Sequence, residues 1–223
     1  FSLRKAWLLA VLQRYDEAIE EFDGIIARNG LDEDLAMGRG KLEMVSNPQS
    51  IDDWYGEILR EHPTWSRLRE DRIRLRLEGV DYGGALSEAR IGYEASPNDL
   101  LSMRRLAVLL LDFGQYPDWV ESGEITERTL EIDPDNPAAW RALALVKAKL
   151  GDFQAAQVAM EKAVELAPRD YQIRSNFVRL LNDRGMRKRA LAEHAESLRL
   201  WEEQGGLGEP PQMPEQRVGP STP

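Results

Sequence analysis

The chain of 223 residues has no cysteine and only two histidines, His62 and His194. The first absence excludes disulfides, zinc–thiolate sites, iron–sulfur clusters and cysteine nucleophiles. The second leaves little from which to build a histidine metal site or proton relay. Long apolar runs are missing too. The uncharged stretch from Ala6 to Leu12 is far shorter than the roughly 20 residues that span a bilayer, and no small-residue cleavage site follows it. There is no Asn-x-Ser/Thr acceptor. Positive charge is in deficit, with 29 Lys+Arg against 39 Asp+Glu and a net charge of −10. A general nucleic-acid binder needs the opposite balance.

Catalytic motifs are also lacking. Gly38-Arg39-Gly40-Lys41 contains a Gly-Lys pair, but its first glycine is misplaced for a phosphate loop. Leu42 stands where Ser or Thr is required. Close helix packing is the simpler reading. Paired acids such as Glu20-Glu21 and Glu202-Glu203 look like solvated helix faces. The expectation is therefore no catalytic residue, no cofactor, no metal and no enzymatic activity.

What the sequence does contain is a repeat. Hydrophobic residues make up 42% and charged residues 30%, a folded rather than disordered composition. Pro63, Pro97, Pro134 and Pro168 close amphipathic segments and are spaced by 34, 37 and 34 residues. Between them recurs a Gly-x-aromatic turn, Gly114-Gln115-Tyr116 and Gly151-Asp152-Phe153, with Gly79-Val80-Asp81-Tyr82 read as one residue longer. The clearest unit starts at Asn136-Pro137, a helix start signal. Trp140, Leu143 and Ala144 follow at helical spacing. Gly151 then ends the helix, and Ala156, Met160 and Ala163 line a second helix closed by Pro168.

This pattern resembles the tetratricopeptide repeat, with Ala144 in place of the usual Gly and Lys147 in place of a Tyr. The resemblance implies an all-α fold, a right-handed superhelix of about six helical hairpins. The units run over 1–30, 31–64, 65–99, 100–136, 137–170 and 171–204, forming one repeat domain over 1–204. Residues 205–223, with five of the 12 prolines, are expected to be a disordered tail.

Charge is unevenly spread within the repeat. Residues 65–78, 100–113, 137–150 and 171–184, the first helices of the last four units, sum to +8, so the rest carries −18. Arg69, Arg104 and Arg141 each follow the first core residue of their helix (Leu68, Met103, Trp140). The resemblance places that position on the concave groove. The expected partner site is a ladder of Arg69, Arg104, Arg105, Arg141, Asn176 and Arg179 that takes an acidic protein or peptide segment. The alternative is that these arginines pair with acids of neighbouring helices. A two-carboxylate clamp is not expected, because Leu145 stands where its second Asn belongs.

The function so implied is a protein-binding scaffold or adaptor without catalytic activity. It binds no nucleic acid and inserts into no membrane. The lack of Cys and glycosylation acceptors suits a bacterial protein working within an assembly. A second reading takes the array as the repeat region of a longer protein truncated at Phe1. The poor polarity of Leu3, Trp7, Leu8 and Val11 at this end favours it. Compartment and oligomeric state are not readable.

Overall fold

Short polar side chains set where the helices start. The Asn136 side chain accepts backbone N–H bonds from Ala138 and Ala139, both at 3.1 Å, with Pro137 opening the helix. Asp170 accepts from Gln172 (2.8 Å) and Ile173 (3.0 Å). Asp32, Asp81 and Asp152 each accept from the N–H three residues on, that of Leu35, Gly84 and Ala155. Such caps satisfy otherwise orphaned helix donors and contribute about 1 kcal/mol each.

The computed structural model describes residues 2–214. Phe1 of the expected first unit and residues 215–223 of the expected tail lie outside the described residues. Among the described residues there are twelve helices and no strand: α1 (Ser2–Val11), α2 (Tyr15–Asn29), α3 (Glu33–Ser46), α4 (Ile51–Glu61), α5 (Ser66–Glu78), α6 (Tyr82–Ala95), α7 (Leu100–Phe113), α8 (Tyr116–Ile132), α9 (Pro137–Lys149), α10 (Phe153–Leu166), α11 (Tyr171–Asp183) and α12 (Arg187–Glu203). The fold is all-α, an array of six helical hairpins. It divides into two units, residues 1–109 and 110–223, with the division inside α7.

In the first unit α1 and α2 close over Ala6, Leu9, Ala18 and Phe22, which Leu42 of α3 joins. A second cluster gathers Ala36, Ile51, Tyr55, Leu59 and Leu68. The Gly38-Arg39-Gly40 segment is a packing device. A Cβ on Gly38 would stand 2.8 Å from the Phe22 ring, and one on Gly40 would stand 2.6 Å from the Tyr55 ring. In the second unit the core is continuous from α9 to α12. Ala144, Ala156, Ala163 and Ala190 are fully buried, and Met160, Phe177 and Leu181 fill the space between the hairpins. Small residues let the helices approach, and large ones interdigitate across the gap.

The turns carry one departure from expectation. Gly151 and Gly185 adopt left-handed backbone, with φ of 84° and 70°. In the third hairpin that place is taken by Val80 (φ 61°), not Gly79. Gln13 (φ 59°) takes it in the first hairpin. Four hairpins therefore share one turn geometry with different residues, whereas Gly114 of the fourth hairpin does not adopt it. A β-branched side chain there costs about 1–2 kcal/mol.

Within the expected tail, residues 205–214 form no helix but are tied to the last hairpin. The Trp201 indole donates to the Leu207 carbonyl at 3.2 Å, Arg187 donates to the Pro214 carbonyl at 3.3 Å, and Met213 packs on the core of the second unit.

Candidate functional site

Three arginines of α5 recur at i, i+3 and i+7 (Arg69, Arg72 and Arg76) and so share one helix face. In the first unit that face is turned inward. Arg69 is only 3% exposed, ion-paired with buried Glu88 of α6, and donates to the Pro63 carbonyl at 3.0 Å. Arg72 bridges Glu88 (2.8 Å) and Asp52 of α4 (3.1 Å). Arg76 grips Asp52 with two bonds of 3.0 Å. Glycines make the room: a Cβ on Gly56 would stand 2.6 Å from the Arg72 guanidinium, and one on Gly92 would strike the Arg69 side chain. Burial pulls the Arg69 guanidinium below its usual range, against the opposing pull of the Glu88 charge. Burial pushes the Asp52 carboxyl up, but the bonds from Arg72 and Arg76 outweigh it and hold the group below the usual carboxylate range.

Counted from the helix starts, Arg69 does not share a step with Arg104 and Arg141. It lies four residues after Trp65, as Met103 lies after Asp99 and Trp140 after Asn136. The bonding agrees. Arg69, Trp140 (2.8 Å) and Arg174 (3.0 Å) each donate to the proline carbonyl six residues back. Arg69 is a packing residue of that step, and the ladder register drawn through it is corrected by one. The Arg105 Nε donates to Glu70 at 2.7 Å, and burial lowers its guanidinium from the usual range. Arg69, Glu70 and Arg105 line a crevice of about 10 Å³, room for one water at most. Arg104 is exposed and has no ion pair among the described residues.

The second unit holds a half-open cavity of about 900 Å³, the size of a peptide or small-molecule cleft. The end of α7, the C-terminal halves of α9 and α11, and the start of α12 line it. Equal steps from the helix starts place Asp112, Lys149 and Asp183 at one level and Leu111, Ala148 and Asn182 at the level before, with Leu145 and Arg179 a turn earlier on α9 and α11. Successive first helices thus present an apolar strip of Leu111, Leu145, Ala148 and Leu180, flanked by alternating charge. The Lys149 ammonium bonds the Leu111 carbonyl and lies 4.8 Å from the ring centroid of Trp119 in the first turn of α8. Arg179 donates to the Asn176 side chain at 2.9 Å, and Asn176 in turn donates to the Gln172 carbonyl at 3.0 Å. Arg141 is half-buried, has no ion pair among the described residues, and lies outside the lining.

Of the six residues predicted for the site, one, Arg179, lines this cavity, and Asn176 braces it. Arg69 and Arg105 both line the narrow crevice of the first unit. Sequence reasoning missed Asp112, Lys149 and Asp183. Counting thirteen residues from Asp99, Asn136 and Asp170 would have aligned them. His62 stacks on Trp65 with centroids 4.0 Å apart, and His194 has a buried Nδ1 without a partner among the described residues. Among the described residues no helix is long and apolar enough to cross a membrane, and no group of three or more His, Asp or Glu is placed to hold a metal.

A family model described as tetratricopeptide repeat matches residues 82–210, more than half of the chain. A search of curated proteins finds no match. Among solved structures, a tetratricopeptide repeat protein from Parabacteroides merdae superposes with a TM-score of 0.66 at 15% identity, covering 94% of this chain and 79% of that one. The Pseudomonas aeruginosa pilF protein gives 0.62 at 13% identity, covering 90% of each. MamA from Desulfovibrio magneticus gives 0.63 at 16% identity, covering 78% of this chain and 97% of that one.

Proposed function

We propose that this chain, which belongs to the tetratricopeptide repeat family, is a non-enzymatic scaffold that holds a segment of a partner protein against the first helices of its second unit. The observation that carries this reading is the cavity of about 900 Å³ whose lining repeats at equal steps along α7, α9 and α11. A repeated strip of Leu111, Leu145 and Ala148 suits a polypeptide, which is itself periodic, better than a compact metabolite. Its charged edges hold such a segment in register. Arg141, half-buried without an ion pair among the described residues, together with Arg179 at the cavity edge, favours a partner segment with acidic residues.

Affinity capture with the chain and two variants tests this. Ala148→Arg fills the cavity, and the double variant Arg141→Glu, Arg179→Glu reverses charge beside it. Both are expected to lose the partner recovered by the unaltered chain while keeping its helical circular dichroism. Retention of the same partner by both folded variants across a salt series would sink the reading.

A second reading is that the array serves a longer polypeptide whose activity lies in another region. One observation favours it: on α1, Leu8 is 65% and Val11 80% exposed, an apolar face suited to covering by further protein.

A further inference from the structure

Beyond Gly206, two hydrogen bonds tie residues 207–214 to α12. The Leu207 carbonyl accepts from Trp201 near the end of α12 at 3.2 Å, and the Pro214 carbonyl accepts from Arg187 at its start at 3.3 Å. Fourteen helical steps from Arg187 to Trp201 cover about 21 Å. The segment from Leu207 to Pro214 bends at Gly208 and Glu209, where Gly208 takes left-handed backbone with φ of 82°. Beyond the bend Pro210, Pro211 and Pro214 restrict φ to values that suit a non-helical chain. With its two carbonyls held at opposite ends of α12, the segment runs back from the end of the helix towards its start. Met213 is the side chain of this segment that packs on the core of the second unit. Leu207 is 85% exposed.

The contacts between strap and helix are therefore generic. The helix donors take backbone carbonyls, which any peptide carries, and one apolar socket takes one long side chain. Two long hydrogen bonds and one methionine make a contact of low local stability, the kind that opens well below the global unfolding free energy. A helical array buries its last hairpin by laying something against it, and here that something is a proline-containing, non-helical segment in place of another helix.

We propose that the track along α12 between Trp201 and Arg187 is a second binding site, which meets the cavity lined by α9 and α11 only at Arg187. Its ligand is a non-helical, proline-containing peptide segment with a long apolar side chain one residue before the carbonyl held by Arg187. The chain's own residues 207–214 occupy the track until such a segment displaces them. The site is self-masked, so its apparent affinity for an outside segment is lowered by the fraction of chains in which the strap is closed.

The probe is a fluorescent synthetic peptide with the sequence of residues 206–214, titrated into the full chain and into Met213→Asp. The substituted chain is expected to bind it at least tenfold more tightly, because its own strap no longer competes. Adding Trp201→Phe to the substituted chain removes one donor and weakens the peptide severalfold, whereas adding Arg141→Glu on α9 leaves it unchanged. Equal affinity for both chains, or no binding to a Met213→Asp chain that keeps its helical signal, overturns the proposal. If Met213→Asp does not fold, replacing residues 210–214 by Gly and Ser removes the anchor without adding a charge, and the same comparison applies.

Discussion

Where α9 to α12 meet, the contacts are alanine, methionine, leucine and phenylalanine. Where α5 meets α4 and α6, they are arginine, aspartate, glutamate and glycine. Both regions solve one packing problem, two helices and a neighbour closing on a first helix. In the apolar version alanines bring the backbones together, and burial of hydrocarbon supplies the stability. In the charged version glycines make room for guanidinium groups, and stability depends on every charge keeping its partner. A repeat fold thus constrains the shape at each step more than the chemistry. The difference also bears on function. Arginines of α5 are consumed inside the first unit, while the second unit leaves its first helices free to line a cavity.

The largest expected effect comes from breaking a pair in the charged region. Glu88→Ala leaves Arg69 and Arg72 facing low-dielectric surroundings, and urea unfolding is expected to show a loss of about 3–5 kcal/mol. If the loss is under 1 kcal/mol, Arg69 is solvated and the contrast with the apolar region disappears. Met160→Ala in the apolar core is expected to cost about 2–5 kcal/mol in the same measurement. Gly40→Ala, driving a methyl into Tyr55, is expected to cost about 1–3 kcal/mol.

Smaller effects sharpen the picture. Val80→Gly places the residue that the turn geometry favours at a left-handed position already 65% exposed; a gain of about 1 kcal/mol is expected in the same unfolding measurement. Tyr55 is buried, its hydroxyl has no partner among the described residues, and burial, assisted by the Asp71 charge, pushes its pKa up to about 12. The unfolded value is about 10. The neutral phenol is thus favoured in the folded state, and that contribution is whole below about pH 10 and lost as pH rises towards 12. Tyr55→Phe should flatten the alkaline limb of a stability–pH profile over that window and change stability near neutrality by less than about 1 kcal/mol. At the acid end the sign reverses. Asp52 has a lowered pKa when folded, so its contribution is present above about pH 4 and lost as pH falls through the folded value.

The fold was legible because the signals that write it are local. Asn136-Pro137, Gly151-Asp152 and the phased prolines specify caps and turns through neighbouring residues, and twelve helices follow from them. The site was less legible for a specific reason. The ladder is aligned on the first core residue expected in each helix, Leu68, Met103 and Trp140. In α5 a buried arginine occupies the step where the others carry Met103 and Trp140, so the alignment slipped by one. Hydrophobicity marks the core only where the core is apolar, and Glu88 gives Arg69 a place there. Alignment on the caps Asp99, Asn136 and Asp170 avoids the slip and brings out Asp112, Lys149 and Asp183. The turn at Val80 misled similarly, since its geometry is kept without its glycine.

The account rests most heavily on the second unit presenting its first helices to a partner. Photo-crosslinking from single positions reads this directly, with a benzophenone side chain at Leu145 in the cavity or at Val158, 55% exposed on α10. The expected result is a partner adduct from position 145 and none from position 158. An adduct from position 158 alone, or equal adducts from both, would contradict it.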